Sequence, residues 1–84
     1  MNPTQIQQHL HREPFRALRL HLSDGSHYDV LHPEMALVTQ TEVAIALETT
    51  PGDLPERMIY CDPLHITRIE PLNGKKQKLR SQQN

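Results

Sequence analysis

Histidine is the residue type in this chain with the widest chemical range. Six of the 84 residues are histidines, and imidazole is both the commonest metal ligand and a side chain that titrates near neutral pH. The strand register derived below places His21 opposite His27, with Cβ atoms about 4.5–5.5 Å apart. Two ring nitrogens at that spacing can share a metal ion. Because no third ligand accompanies them in the sequence, the alternative is an ordinary polar outer face, and we expect no bound metal.

The other four histidines lie in positions that favour structural roles. His9 and His11 are two residues apart on a predicted helix and therefore point in different directions. We expect both to be solvated. His32 and His65 lie at predicted turns, where a ring nitrogen commonly satisfies a backbone group.

Cys61 is the single cysteine, so neither an intramolecular disulfide nor a cysteine-based zinc site can form within one chain. A reactive thiolate needs a nearby base and electropositive surroundings. The negative charge of the adjacent Asp62 works against such surroundings. We expect a small buried thiol. The sequence contains no glycine-rich phosphate loop, no serine at a strand-to-helix elbow and no paired carboxylates. It therefore predicts no catalytic residue, no cofactor and no enzyme activity.

Charge is distributed unevenly along the chain. Residues 1–72 contain five basic and ten acidic residues, a net charge of −5, whereas residues 73–84 contain four basic residues and no acidic one. That basic tail (Lys75, Lys76, Lys78 and Arg80) is either a contact for nucleic acid or a solubilising terminus. Because it has no aromatic residue for base stacking, binding through it is expected to be weak and salt-sensitive.

The elements that position these residues begin with a β-hairpin. Apolar residues alternate from Leu18 to Leu22, stop at a turn, and resume at Tyr28 and Val30. For these side chains to share one face, the loop must contain an odd number of residues. A three-residue loop (23–25) with Gly25 in the left-handed region satisfies this condition. The resulting register pairs Leu18 with Val30, Arg19 with Asp29, Leu20 with Tyr28, and His21 with His27.

A helix is predicted before the hairpin, over residues 3–11. Asn2 is a suitable N-cap and Pro3 suits the first helical position. Ile6 and Leu10, four residues apart, form one narrow apolar stripe. A helix this short is not stable alone, so we expect it to be a lid on the sheet or part of an interface.

Further short strands follow the hairpin. His32-Pro33-Glu34 breaks the second strand, and the segments at 35–38 and 43–47 are apolar on both faces, which indicates central strands or a face covered by the helix or a second subunit. We predict the remaining strands at 57–60 and 65–70, joined by a single turn, with residues 73–84 disordered. Without βαβ spacing, five or six short antiparallel strands favour a small bent barrel that protects its edges.

This element order resembles the SH3-like barrel in its Sm-like form. The resemblance rests on the N-terminal helix, Asp24-Gly25 in the first turn, and a last strand entered through one turn at residues 62–66. It implies a mainly β domain over residues 1–72, ring-like assembly and binding of single-stranded RNA. The RNA-binding motifs differ: the family's Asp-x-Met-Asn loop is His32–Met35 here, and its Arg-Gly-Asn turn is Cys61–Pro63. The chain therefore fits the family's ring-like assembly better than it fits the family's binding of RNA.

The chain is also similar to small uncharacterised bacterial proteins. The shared pattern reads PFR at 14–16, LxLSDG at 20–25, HPE at 32–34, LHI at 64–66 and IEP at 69–71. This similarity spans residues 3–72 and implies no known activity.

Two functions remain as hypotheses. The first is a non-enzymatic interaction module that self-associates or binds a protein partner through a barrel edge, with Ile6, Leu10, Met58 and Tyr60 at the interface. The alternative is an Sm-like protein that binds single-stranded RNA through an oligomeric ring and the basic tail. Because the sequence has no signal-like or long apolar segment and only one cysteine, we expect a cytoplasmic protein without membrane contact.

Overall fold

In the computed structural model, which describes residues 1–47 and 52–72, one short helix precedes six antiparallel strands. Two one-turn 3-10 helices, at Pro33–Met35 and Pro63–His65, separate some of the strands. The helix and strands are α1 (Pro3–Leu10), β1 (Leu18–Leu22), β2 (His27–Val30), β3 (Ala36–Val38), β4 (Val43–Leu47), β5 (Arg57–Cys61) and β6 (Ile66–Pro71).

Helix α1 begins and packs as the sequence predicts but contributes to the core rather than to a surface. The Asn2 side chain accepts a hydrogen bond from the Thr4 amide at 2.7 Å, and Pro3 occupies the first turn. Ile6 and Leu10 are 0% and 3% exposed. The helix is therefore the lid on the sheets, and the predicted interface role of Ile6 and Leu10 is corrected: neither side chain reaches the surface.

The hairpin has the predicted register. Leu18 pairs with Val30 and Leu20 with Tyr28, on either side of a loop of three residues. The Leu22 amide donates to the Ser26 carbonyl at 2.9 Å, which closes the loop. Gly25 has a φ of +90°, a left-handed conformation that glycine adopts without a Cβ penalty.

Strand β1 lies at the centre of the first sheet, whose order is β2-β1-β6. Strand β6 pairs with it antiparallel from Leu18–Pro71 to Leu22–Ile66, with one irregularity between His21 and Leu22. The strand predicted over 65–70 extends one residue further, to Pro71. A proline suits this last position because a strand end needs no further amide donor.

The second sheet has the order β3-β4-β5, with both pairings antiparallel. Val43 and Ile45 of β4 are fully buried and face the core, while Ala44 lies between Leu37 and Tyr60 on the opposite face. Among the strands of residues 1–47 and 52–72, β5 has a partner on one side only.

Both sheets and the helix contribute to one core. The buried apolar residues that form it are Ile6, Leu10, Leu18, Leu20, Val30, Met35, Val43, Ile45, Cys61 and Ile66. The ladders of the described strands form two three-stranded sheets and do not close into a barrel. The predicted closed barrel is corrected in this respect, since six short strands bury their apolar faces here by packing two sheets over one core.

Several predicted boundaries shift by one residue, and some predictions lie outside the described residues. The single turn before the last strand is a 3-10 helix, which moves His65 out of β6. Predictions for the basic tail, including Lys75, Lys76, Lys78 and Arg80, lie outside the described residues. Among residues 1–47 and 52–72, no helix has the length and apolar character needed to cross a membrane.

Candidate functional site

A groove of about 680 Å³ runs beside β5. Its lining includes Met58, Ile59, Tyr60 and Cys61, four consecutive residues of that strand. Since neighbouring strand residues point to opposite faces, a groove that touches all four must follow the free edge of the strand. The remaining lining comes from the hairpin tip, β2 and the turn after β5: Leu22, Ser23, Asp24, Ser26, Tyr28, Asp62 and His65.

The free edge of β5 lacks the usual protection against strand pairing. Natural edge strands are commonly blocked by lysine, proline, a bulge or an inward-pointing charge. From Met58 to Cys61 the strand contains none of these residue types, and its pairing with β4 is regular from Arg57 to Cys61. In the described part of the chain no strand pairs with this edge, so its main-chain donors and acceptors can pair with another strand.

The side of the second sheet that faces away from the core is also apolar. Leu37, Ala44 and Tyr60 lie directly across the three strands, and Ala46 and Met58 form the next pair on the same face. Leu37 and Tyr60 are each 66% exposed and Met58 is 38% exposed. We call these five residues the outer apolar face. The sequence indicated a second apolar face on these strands, and nothing in the described part of the chain covers it.

The hairpin tip is held against the second 3-10 helix. The Ser23 amide donates to the His65 carbonyl at 2.8 Å, and the Ser23 hydroxyl lies 2.9 Å from His65 Nδ1. The predicted partner of the His65 ring was a backbone group, so this side-chain partner is a correction. It was not predictable from sequence because the two residues are 42 positions apart. The paired backbone and side-chain bonds indicate a structural link that fixes one wall of the groove.

Carboxylates lie at the rim of the groove. Asp24 Oδ1 accepts hydrogen bonds from the Ser26 hydroxyl at 2.6 Å and the Ser26 amide at 2.9 Å, and these bonds hold the pKa of Asp24 below its ordinary value. Asp62 caps the second 3-10 helix by accepting from the Leu64 amide at 2.9 Å. Both side chains are thereby held in place by backbone amides.

Cys61 is buried at the groove floor and has the properties of an inert thiol. Its side chain belongs to the core, and burial, with a smaller effect from Asp24, raises the pKa of the thiol. A raised pKa leaves little thiolate at neutral pH. The structure thus agrees with the prediction of a buried thiol.

His21 and His27 face each other as predicted, with ring centroids 5.8 Å apart. His21 Nε2 lies 2.9 Å from Glu70 Oε1, and the Arg68 guanidinium lies 3.2 Å from the same ring nitrogen. A guanidinium so close repels a metal cation. Within residues 1–47 and 52–72 no three His, Cys, Asp or Glu side chains form a group that could hold a metal ion.

The remaining predicted site residues are placed on the surface. His9, His11 and His32 are exposed, and the His32 side chain makes no capping bond to the 3-10 helix that follows it.

Comparison with protein-family models, with curated proteins and with solved structures gives no match to this chain. The features of the molecule that bear on function are therefore the groove, the β5 edge and the outer apolar face.

Proposed function

We propose that this chain is a non-enzymatic interaction module that self-associates through β5. In this arrangement β5 of one copy pairs antiparallel with β5 of a second copy, and the outer apolar faces of both become continuous. The observation that carries the proposal is the unprotected edge of β5, a strand that also contains the exposed residues Met58 and Tyr60.

A second copy fits this edge because antiparallel pairing of identical strands is self-complementary about a two-fold axis. Pairing centred on Ile59 places Met58 of each copy opposite Tyr60 of the other. Aromatic and apolar cross-strand pairs stabilise such a ladder by about 0.2–1 kcal/mol each. Arg57 is the only charged residue in β5, so repulsion between like charges across the new ladder is small.

The size of the domain favours the same conclusion. The core of the described chain contains ten buried apolar residues and no buried polar group. Small domains with modest cores commonly gain stability by association. Covering Leu37, Met58 and Tyr60 would extend the apolar interior beyond what one copy provides.

We further propose that the two sheets represent an SH3-like barrel of the Sm-like type, opened along β5. Support comes from the shared core, the sheet orders β2-β1-β6 and β3-β4-β5, and the 3-10 turn that leads into the last strand. This topology leaves β2 and β6 as the edges of the first sheet and β3 and β5 as the edges of the second, and assembly through an edge requires such strands.

The test is the molar mass of the full chain in a micromolar dilution series, measured by light scattering and native mass spectrometry. We expect a reversible dimer or larger species. Tyr60→Glu should weaken association by at least about tenfold, because it places a charge where roughly 1–2 kcal/mol of apolar burial is lost on each copy. Leu54→Glu is the matched control, since Leu54 is 92% exposed and lies outside the sheet. It should associate like the unaltered chain.

A monomer at all concentrations, or equal loss of association in both variants, would refute the proposal. Ribonuclease treatment provides a separate arm of the experiment. An oligomer that dissociates with ribonuclease would contradict direct β5 pairing and favour the RNA-binding alternative. An oligomer that survives would support protein-to-protein contact.

A further inference from the structure

A second cavity, smaller and more enclosed than the groove, lies at the C-terminal end of α1. Its volume is about 70 Å³. Three basic side chains line it, His9 from α1 and Arg12 and Arg16 from the segment that follows, while Leu18, Ile69 and Pro71 form its apolar part. No acidic residue is among its lining residues.

The two arginines at this cavity, which lie between α1 and β1, differ from the arginines of the first sheet. Arg19 forms a two-pronged pair with Asp29, at 2.8 and 3.2 Å, and Arg68 contacts the His21 ring. Arg12 and Arg16 form no ion pair with any part of the chain that the structure describes. Two arginines without an ion-pair partner in the described chain therefore line one cavity, in a domain whose net charge over residues 1–72 is −5.

We propose that this cavity is an oxyanion site that takes a phosphate group. A guanidinium presents a planar fork of donors that matches phosphate oxygens. A single water needs about 10–15 Å³ of accessible space, so a cavity of about 70 Å³ can accept a group the size of one tetrahedral oxyanion. Leu18 is buried, whereas His9, Arg12 and Arg16 are exposed, so a ligand can reach the basic side chains from solvent.

A purely structural role for these residues makes a different prediction. Cations near a helix C-terminus stabilise the helix through its dipole, and His9 and Arg12 lie at that end of α1. In that case Arg12→Gln would lower the thermal midpoint equally with and without phosphate. An oxyanion site instead requires that the variants lose a phosphate-dependent increase in the midpoint.

The experiment is thermal unfolding of the full chain, followed by circular dichroism, in low-millimolar inorganic phosphate against chloride of equal ionic strength. Phosphate should raise the midpoint of the unaltered chain, and Arg12→Gln and Arg16→Gln should each weaken apparent phosphate affinity by about tenfold. Arg68→Gln removes the same charge from β6, at a residue that neither lines the cavity nor lies in β5, and should keep the full response. Because exclusion of phosphate from protein surfaces stabilises all variants alike, the difference between variants is the measured quantity.

No excess effect of phosphate on the unaltered chain, or an equal loss in Arg68→Gln, would overturn the assignment. Two arms distinguish the source of the phosphate. Binding of a short oligouridylate that is lost in Arg12→Gln identifies a nucleic-acid backbone. A response to inorganic phosphate without oligouridylate binding identifies a small phosphorylated ligand. The oligomer test of the proposed function does not use these residues, so the two proposals can fail independently.

Discussion

The hairpin turn provides the sharpest stability test because its geometry isolates one physical effect. Gly25 has a φ of +90°, and a Cβ built at this position would meet no heavy atom within 4 Å. Gly25→Ala therefore causes no steric clash, and its cost is conformational. Holding an L-residue in the left-handed region costs about 1–2 kcal/mol. The restricted unfolded chain offsets about 0.4–1 kcal/mol of this.

The net effect is a destabilisation of about 1 kcal/mol, which corresponds to a fall of about 4–8 °C in the thermal midpoint for a domain of this size. Gly25→Asn is the matched variant, since asparagine tolerates the left-handed region better than alanine does. It should retain most of the stability. Thermal and urea unfolding followed by circular dichroism measure both variants.

A different order of stabilities would refute the reasoning. If Gly25→Ala were as stable as the unaltered chain, the loop would not require a positive φ, and the register of the hairpin would be in doubt. If alanine and asparagine were equally destabilising by several kcal/mol, a side-chain clash rather than backbone conformation would control the position.

Two further predictions concern titratable groups at the groove. Because hydrogen bonds from Ser26 lower the pKa of Asp24 in the folded chain, Asp24 contributes stability that is present above its ordinary value of about 3.9 and is lost as pH falls through the lower folded value. Ser26→Ala should move the pKa of folded Asp24 toward its ordinary value, so the free energy of unfolding should fall less as the pH is lowered. Urea unfolding at a series of acidic pH values measures this, and an unchanged pH dependence would contradict the prediction. Because burial raises the pKa of Cys61, its thiol should react with a disulfide reagent much more slowly than free cysteine does. The reaction should become faster when urea unfolds the chain. Equal rates for the folded chain and free cysteine would show an accessible thiol.

The hairpin was predictable residue by residue because its determinants are local. Alternating leucines, a turn dipeptide and a parity argument define the pairing of Leu20 with Tyr28 and the conformation of Gly25 without reference to any distant residue. The N-cap at Asn2 is local in the same sense. The strand over residues 43–47 also matches, since its apolar run has clear limits.

Features that depend on distant contacts were less accessible. The stripe of Ile6 and Leu10 shows that the helix must pack on something, but not whether its partner is the chain itself or another molecule. The Ser23–His65 contact and the convergence of Arg12 and Arg16 on one cavity arise from how α1, β6 and the hairpin pack together. Sequence periodicity contains no information about such packing.

The central position of β1 has a consequence for how the chain folds. Its pairing with β2 spans a short loop and belongs to hairpin formation, which takes about 1–10 μs. Its pairing with β6 joins Leu20 to Ile69, which are separated by most of the described chain, so loop-closure entropy slows this step. During synthesis, β1 exposes a bare edge until β6 emerges from the ribosome. Fragments that end before β6 should therefore be prone to aggregation.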